Sequence, residues 1–172
     1  MRESYEIGRT RKSRIVSSFF YDAPPYGETE THPISGEDKD FSASNQYEIN
    51  YQLLQDLELK PKFAVRRGEL DLSGWKLGQA ALKDLSDETR EIESRDLIPD
   101  FNQSGVDMRI GLDVAWIALK NIVDVLVLVT GDSDFIPAMK MARKEGLEVY
   151  LDIMEHGVFP QLKAHSDRVI EI

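Results

Sequence analysis

The feature that most constrains this chain is a run of five apolar residues, Val125-Leu126-Val127-Leu128-Val129, leading straight into Thr130-Gly131-Asp132-Ser133-Asp134-Phe135. A run without polar alternation predicts a strand covered on both faces, as in parallel sheets. Upstream, Val106 to Ile122 carries two apolar stripes at helical spacing. One is Val106, Ile110, Val114 and Ile117; the other is Met108, Leu112, Ala115, Leu119 and Ile122. A helix apolar over so much of its surface is expected to be buried against a sheet and its neighbours. Downstream, Phe135 to Glu145 reads as a helix with Pro137 in the tolerated first turn and Gly146 ending it. Leu147 to Ile153 reads as the next strand, Pro160 to His165 as a short helix and Arg168 to Ile172 as a last strand. This alternation implies an α/β fold of three layers, a mostly parallel sheet flanked by helices and joined by right-handed crossovers. Such sheets place ligands at the carboxyl ends of their strands, and Thr130 to Asp134 falls at one of these ends.

The upstream part gives weaker signals. Residues 1 to 14 form a mildly basic lead-in, an arm or the end of a helix. Ile15 to Tyr21 is β-branched and aromatic and reads as a strand, stopped by Asp22-Ala23-Pro24-Pro25. Residues 26 to 44 are expected to be a long exposed loop. Ser44 or Asn45 caps a helix to about Leu59, with Tyr47, Tyr51, Leu54 and Leu57 on one face. Lys62 to Leu70 reads as a strand with Phe63 and Val65 on one side, and Gly74 to Leu77 as a turn with a further short strand. Residues 83 to 104 read as a surface insertion with a helix around Glu88. Trp75 and Trp116 are expected in the core rather than as platforms for bases. No internal repeat is found.

Composition narrows the function classes. The 172 residues suit one domain with a real core. The absence of cysteine excludes a disulfide framework and thiolate metal sites and agrees with a reducing compartment. No apolar leader follows Met1, and five consecutive apolar residues are far too few to span a bilayer. A soluble, intracellular, cytoplasmic protein is expected, with no membrane partner. The net charge of −10 argues against a general nucleic-acid coat protein, whose affinity comes from neutralising phosphates. It argues much less against a metallonuclease, whose site must be acidic.

Asp132 and Asp134 follow the apolar strand directly. Two carboxylates this close repel each other unless a cation offsets them, and hard cations such as Mg2+ favour a few oxygen ligands plus water. The competing reading makes Ser133 or Asp134 the cap of the next helix and Asp132 a solvated loop acid. Gly131 is expected to permit a sharp turn. Asp113 shares the face of Ile110 and Ile117, where a carboxylate is costly unless paired or metal-bound; its alternative is an ion pair with Arg109. Asp107 sits at a helix start, where the macrodipole favours an acid anyway. A carboxylate cluster holding a metal can activate water and stabilise charge on phosphate. Arg66 and Arg67, with Lys62 nearby, are either phosphate contacts or a solvated strand edge. His156 and His165 have no metal-ligand spacing and read as structural or exposed. Neither a Walker A loop nor a dinucleotide fingerprint is present, so no nucleotide cofactor is expected. Asp-x-Asp after a buried strand also occurs in haloacid-dehalogenase-like phosphatases, but Pro137 and immediate entry into a helix fit that pattern poorly.

Gly105-Val106-Asp107-Met108-Arg109-Ile110-Gly111-Leu112-Asp113, followed by Val129-Thr130-Gly131-Asp132-Ser133-Asp134-Phe135, resembles the NYN family, LabA-like domains with a PIN-like nuclease fold. Phe20-Tyr21-Asp22-Ala23-Pro24 and Gly74-Trp75-Lys76-Leu77 also resemble family segments. The resemblance implies a Mg2+- or Mn2+-dependent ribonuclease acting on RNA. Its acidic site maps onto Asp113, Asp132 and Asp134, with Asp107 as a further metal-ligand candidate. Thr130 and Ser133 are expected to shape the loop or bind substrate, and Arg66 to contact phosphate. A catalytically weakened NYN-like domain that binds RNA or protein is the alternative. Family members open with an apolar strand ending in an acidic motif, and nothing before Ile15 has that pattern. The expectation is therefore one domain over residues 1 to 172 lacking its first strand, with the surface so exposed available to a second copy.

Overall fold

The computed structural model describes residues 14–87, 89–154 and 160–170. The basic lead-in before Arg14, the surroundings of His156 and the end of the last strand lie outside them. At the centre of the C-terminal part, three parallel strands stand in the order β7 (Val125–Val129), β8 (Glu148–Asp152) and β9 (Arg168–Ile170). Val125 pairs with Glu148 and Val129 with Asp152, so the carboxyl ends of β7 and β8 lie level. One face of this sheet is covered by α3 (Val106–Lys120), α4 (Ile136–Lys144) and α5 (Pro160–Ala164). Val114, Ile117, Met139, Ala142, Val149, Leu151 and Leu162 make the core there, with Leu126 and Leu128 packed on it. Met139, Val149, Leu151 and Leu162 are fully buried. Arg143 of α4 is 2.9 Å from Asp167, whose other carboxylate oxygen accepts from the Val149 N–H; the acid thereby ties a helix to the sheet.

Two readings of this region need correction. β7 is not covered on both faces: Val125, Val127 and Val129 are 37%, 42% and 49% exposed, because among the described residues every helix contact of the core falls on the Leu126 and Leu128 side. Likewise only one stripe of α3 is buried. Val114 and Ile117 enter the core, but Met108, Leu112, Leu119 and Ile122 stay exposed. Trp116, expected in the core, is 53% exposed for the same reason.

The upstream strands form separate small sheets rather than extending this one. β1 (Ser18–Asp22) pairs in parallel with β4 (Phe63–Arg67), and α1 (Asn45–Glu58) connects them. Ser44 caps α1 by accepting the Tyr47 N–H, and Leu54 and Leu57 are its buried residues. At Gly68 the chain leaves β4 for β5 (Glu69–Leu77). A side chain there would sit 2.6 Å from the Ser104 carbonyl and from the Val106 side chain, so glycine permits the close approach that breaks the expected single strand in two. β5 pairs antiparallel with β6 (Leu97–Ser104). A bulge between Leu72 and Gly74 resets the alternation, so that Leu70, Leu72, Trp75 and Leu77 are all partly buried.

The 83–104 insertion is thus corrected: its second half is a strand, preceded by α2 (Gln79–Asp87). The exposed loop at 26–44 is also more ordered than expected. It contains the hairpin β2 (Thr29–Thr31) and β3 (Asp38–Asp40), and Phe41 is buried with its ring edge-on to Tyr26 and Phe101. Over the described residues the chain is a mixed α/β protein of small parallel and antiparallel sheets with helices. The antiparallel β5–β6 pair, with polar residues on one side, is what the sequence reading left out. No helix among the described residues is long and apolar enough to cross a membrane.

Candidate functional site

The loop after β7 is shaped by its own polar groups. The Thr130 N–H donates to the Asp152 carbonyl at 3.2 Å, holding the loop against the end of β8. The Thr130 hydroxyl accepts from the Asp132 N–H at 3.1 Å. The Asp132 carboxylate accepts from the Asp134 N–H at 2.9 Å and caps the short 3-10 turn Ser133–Phe135, which runs on into α4. The capping role expected of Ser133 or Asp134 therefore belongs to Asp132. Phe135 turns into the core, and Gly131, Asp132, Ser133 and Asp134 are exposed. Gly131 is not among the residues with left-handed backbone, and a side chain there would meet nothing within 4 Å. Its lack of a side chain leaves space at the loop mouth and serves no turn.

Asp113 is held elsewhere. Its Oδ2 accepts from the Tyr21 hydroxyl of β1 at 3.0 Å and from Arg66 Nε of β4 at 2.8 Å. The ion-pair alternative thus describes Asp113 in this structure, with Arg66 as partner in place of Arg109, which turns back to the Gly105 carbonyl. Burial, then the bond to Asp113, pushes the Tyr21 phenol well above its ordinary range, so Tyr21 stays protonated and donates. The bond to Asp113 also raises the Arg66 guanidinium, whose plane lies 5.2 Å over the Phe19 ring. The Arg66 side chain is 42% exposed and that of Asp113 20%. Pairs this open contribute about 1 kcal/mol or less, so a ligand can displace Arg66 at small cost. The other two cations expected to meet phosphate are also engaged, Lys62 with the Ile15 carbonyl and Arg67 with Glu58. Asp107 is exposed in the first turn of α3 and lines a hollow of about 140 Å³ with Gln103, Gly105 and Val106.

Two residues escaped the sequence reading. Tyr21 is read from the sequence only as the end of a strand and as part of a family-like segment. Asp152 ends the apolar strand β8 opposite Val129 and is 4% exposed, its Oδ1 accepting from the Met154 N–H. The signal was present, since an acid closing an apolar strand is what singled out Asp132.

A family model for the NYN domain matches residues 58–172, about two-thirds of the chain. The chain belongs to the NYN domain family. Asp107, Asp113, Asp132, Asp134 and Arg66 all lie within the matched span, whereas the segment around Tyr21 precedes it. Neither the curated proteins nor the solved structures offer a match. Membership carries a nuclease-like, RNA-related function, in a family whose nucleases are generally dependent on divalent metal. The donor chemistry of the acids suits Mg2+ or Mn2+, which take hard oxygen ligands. The arrangement is less complete: among the described residues no three acidic or histidine side chains stand close enough to share an ion. Asp132 and Asp134 share one loop, while Asp113 is occupied by Arg66.

Proposed function

We propose that this NYN domain cleaves RNA phosphodiester bonds at the carboxyl end of β7, with Asp132 and Asp134 as the acids that would hold Mg2+ or Mn2+. The observation that carries this reading is the pair of exposed carboxylates beside the open Gly131 mouth. Such an ion, when bound, supplies a more acidic water and neutralises charge on the phosphate. The chain's own residues orient the site. Asp132 fixes the loop through the Asp134 N–H, and Thr130 anchors it to β8. Ser133 is exposed on the same loop and is the proposed substrate contact. Arg66, once displaced from Asp113, offers a guanidinium to phosphate and leaves a free carboxylate behind; Asp107 stays a more distant candidate for the same metal. The net charge of −10 makes metal-bridged contact with RNA more favourable than a broad basic surface. The same reading places the protein in the cytoplasm.

The ion pair between Arg66 and Asp113 favours a second reading, an NYN domain that binds RNA or a protein partner and cleaves weakly or not at all. The two separate in one experiment: cleavage of a labelled RNA under Mn2+ or Mg2+, with Mn2+ titration of the wild type and Asp132→Asn. Metal-dependent cleavage and Mn2+ binding that both disappear in Asp132→Asn are expected. Undiminished metal-dependent cleavage in Asp132→Asn overturns the site assignment. RNA binding without cleavage under either ion gives the lead to the second reading.

A further inference from the structure

The exposed stripe of α3 is an apolar feature that the acidic site does not use. Met108, Leu112, Ala115 and Leu119 follow one another along α3 at steps of four, three and four. This is the seam spacing of helices that pack along each other. Met108, Leu112 and Leu119 are 69%, 61% and 65% exposed, and Trp116 beside them 53%. They leave on the order of 500 Å² of apolar surface on one helix, near the upper end of what an unpartnered monomer shows. With a polar rim this approaches the roughly 800 Å² per partner of a stable interface.

We infer that α3 pairs antiparallel with α3 of a second copy of this chain, about a two-fold axis between Asp113 and Val114. The seam is self-complementary in that direction. Leu112 meets Ala115 of the second copy and Leu119 meets its Met108, so large residues face smaller or more pliable ones in each layer. Gly111, beside the seam, has open space where a side chain would stand, which lets the helices approach. Charge agrees as well. The axis brings Arg109 against Trp116 of the second copy, a cation over an indole face, and the two-fold repeats the contact. The first-turn acid Asp107 and last-turn base Lys120 place opposite charges at the ends that the antiparallel arrangement brings together, with helix dipoles opposed. A two-fold contact of this kind closes on itself and gives a dimer rather than a filament. Asp113 lies on the opposite side of α3, toward Tyr21 and Arg66, so the seam leaves that carboxylate uncovered.

The test is molar mass by light scattering across a concentration series, with Leu112→Glu/Leu119→Glu beside the wild type. The wild type is expected at twice 19.6 kDa and the double variant at the single-chain mass with an unchanged circular dichroism spectrum. A wild type that stays at the single-chain mass at every concentration, or a double variant that dimerises like it, overturns the inference. Should the double variant unfold, single cysteines decide, since the chain has none of its own. Under mild oxidant Leu112→Cys/Ala115→Cys is expected to cross-link two chains and Met108→Cys alone to stay uncross-linked. Cross-linking through Met108→Cys overturns the antiparallel arrangement, and no cross-link between chains through Leu112→Cys/Ala115→Cys overturns the contact.

Discussion

The C-terminal unit of β7 to β9 and the middle of the chain are held together by different forces. The first has an aliphatic core in which Met139, Val149, Leu151 and Leu162 lose all contact with solvent. In the second, β5 and β6 keep one polar side and depend on aromatic edges and ion pairs. Phe41, Tyr26, Trp75 and Phe101 contact one another at ring separations of 5.4 to 6.4 Å. Arg90 grips the buried Asp96 with two guanidinium nitrogens, and Lys76 pairs with Asp100 across β5 and β6. The difference shows where precision is available. A loop grafted onto a parallel sheet with one densely packed face keeps its carboxylates in place, and the Thr130–Asp134 loop grows from that unit.

The strongest way to break that comparison is Leu151→Ala. The residue is fully buried in β8, the middle strand of its sheet, so the substitution removes transfer energy and leaves a cavity, a loss of about 2–5 kcal/mol. Chemical denaturation is expected to show the midpoint falling with the slope unchanged. A cost below about 1 kcal/mol would mean that the sheet collapses around the cavity and that the C-terminal unit is not the rigid half.

A smaller, pH-dependent effect is expected in the middle region. Arg90, then the Glu93 N–H, holds the Asp96 carboxyl far below the ordinary carboxylate range. A carboxyl whose folded value is depressed adds stability that is present above its unfolded value, about 3.9. That stability is lost as pH falls through the folded value. Asp96→Asn is therefore expected to destabilise the protein at neutral pH, with the difference from wild type shrinking as acid is added below about pH 4. Thermal melts at pH 7 and at stepped acid values read this directly. A difference that stays constant with pH would assign the role of Asp96 to packing rather than to its charge.

Much of the rigid half was legible in the sequence because its signals are local and redundant. The run Val125 to Val129 is a strand with those same limits, α3 and α4 begin and end within two residues of their caps, and Pro137 falls in a first turn as its missing N–H requires. The middle half was not legible for a different reason. The pairing of β5 with β6 joins residues separated by α2, and a bulged, half-polar strand such as Leu97–Ser104 has no apolar run to announce it. Burial was misread where composition was taken for environment: Leu112, Trp116 and Val127 are apolar but stay exposed, since a pattern shows what a face is made of and not whether anything covers it. In the candidate site the acids of the loop are candidates because of their position after a strand. The Tyr21 and Arg66 bonds to Asp113 span 92 and 47 residues and leave no mark in local spacing.

The smallest expected effect sharpens the comparison at the proposed site on the C-terminal unit. Gly131→Ala is an unusual glycine substitution because neither common objection applies: the backbone is outside the left-handed region and the new methyl group meets no atom within 4 Å. Replacing glycine where the backbone tolerates it reduces the freedom of the unfolded chain and stabilises by about 0.4–1 kcal/mol. Stability is therefore expected to hold or rise slightly, while affinity for RNA falls on the reading that phosphate reaches the carboxylates across the open space at Gly131. Denaturation and RNA titration of the same variant separate the two contributions. Lost affinity at preserved stability assigns the open mouth to substrate, whereas unchanged affinity means that RNA approaches the carboxylates from the Ser133 side and leaves Gly131 untouched.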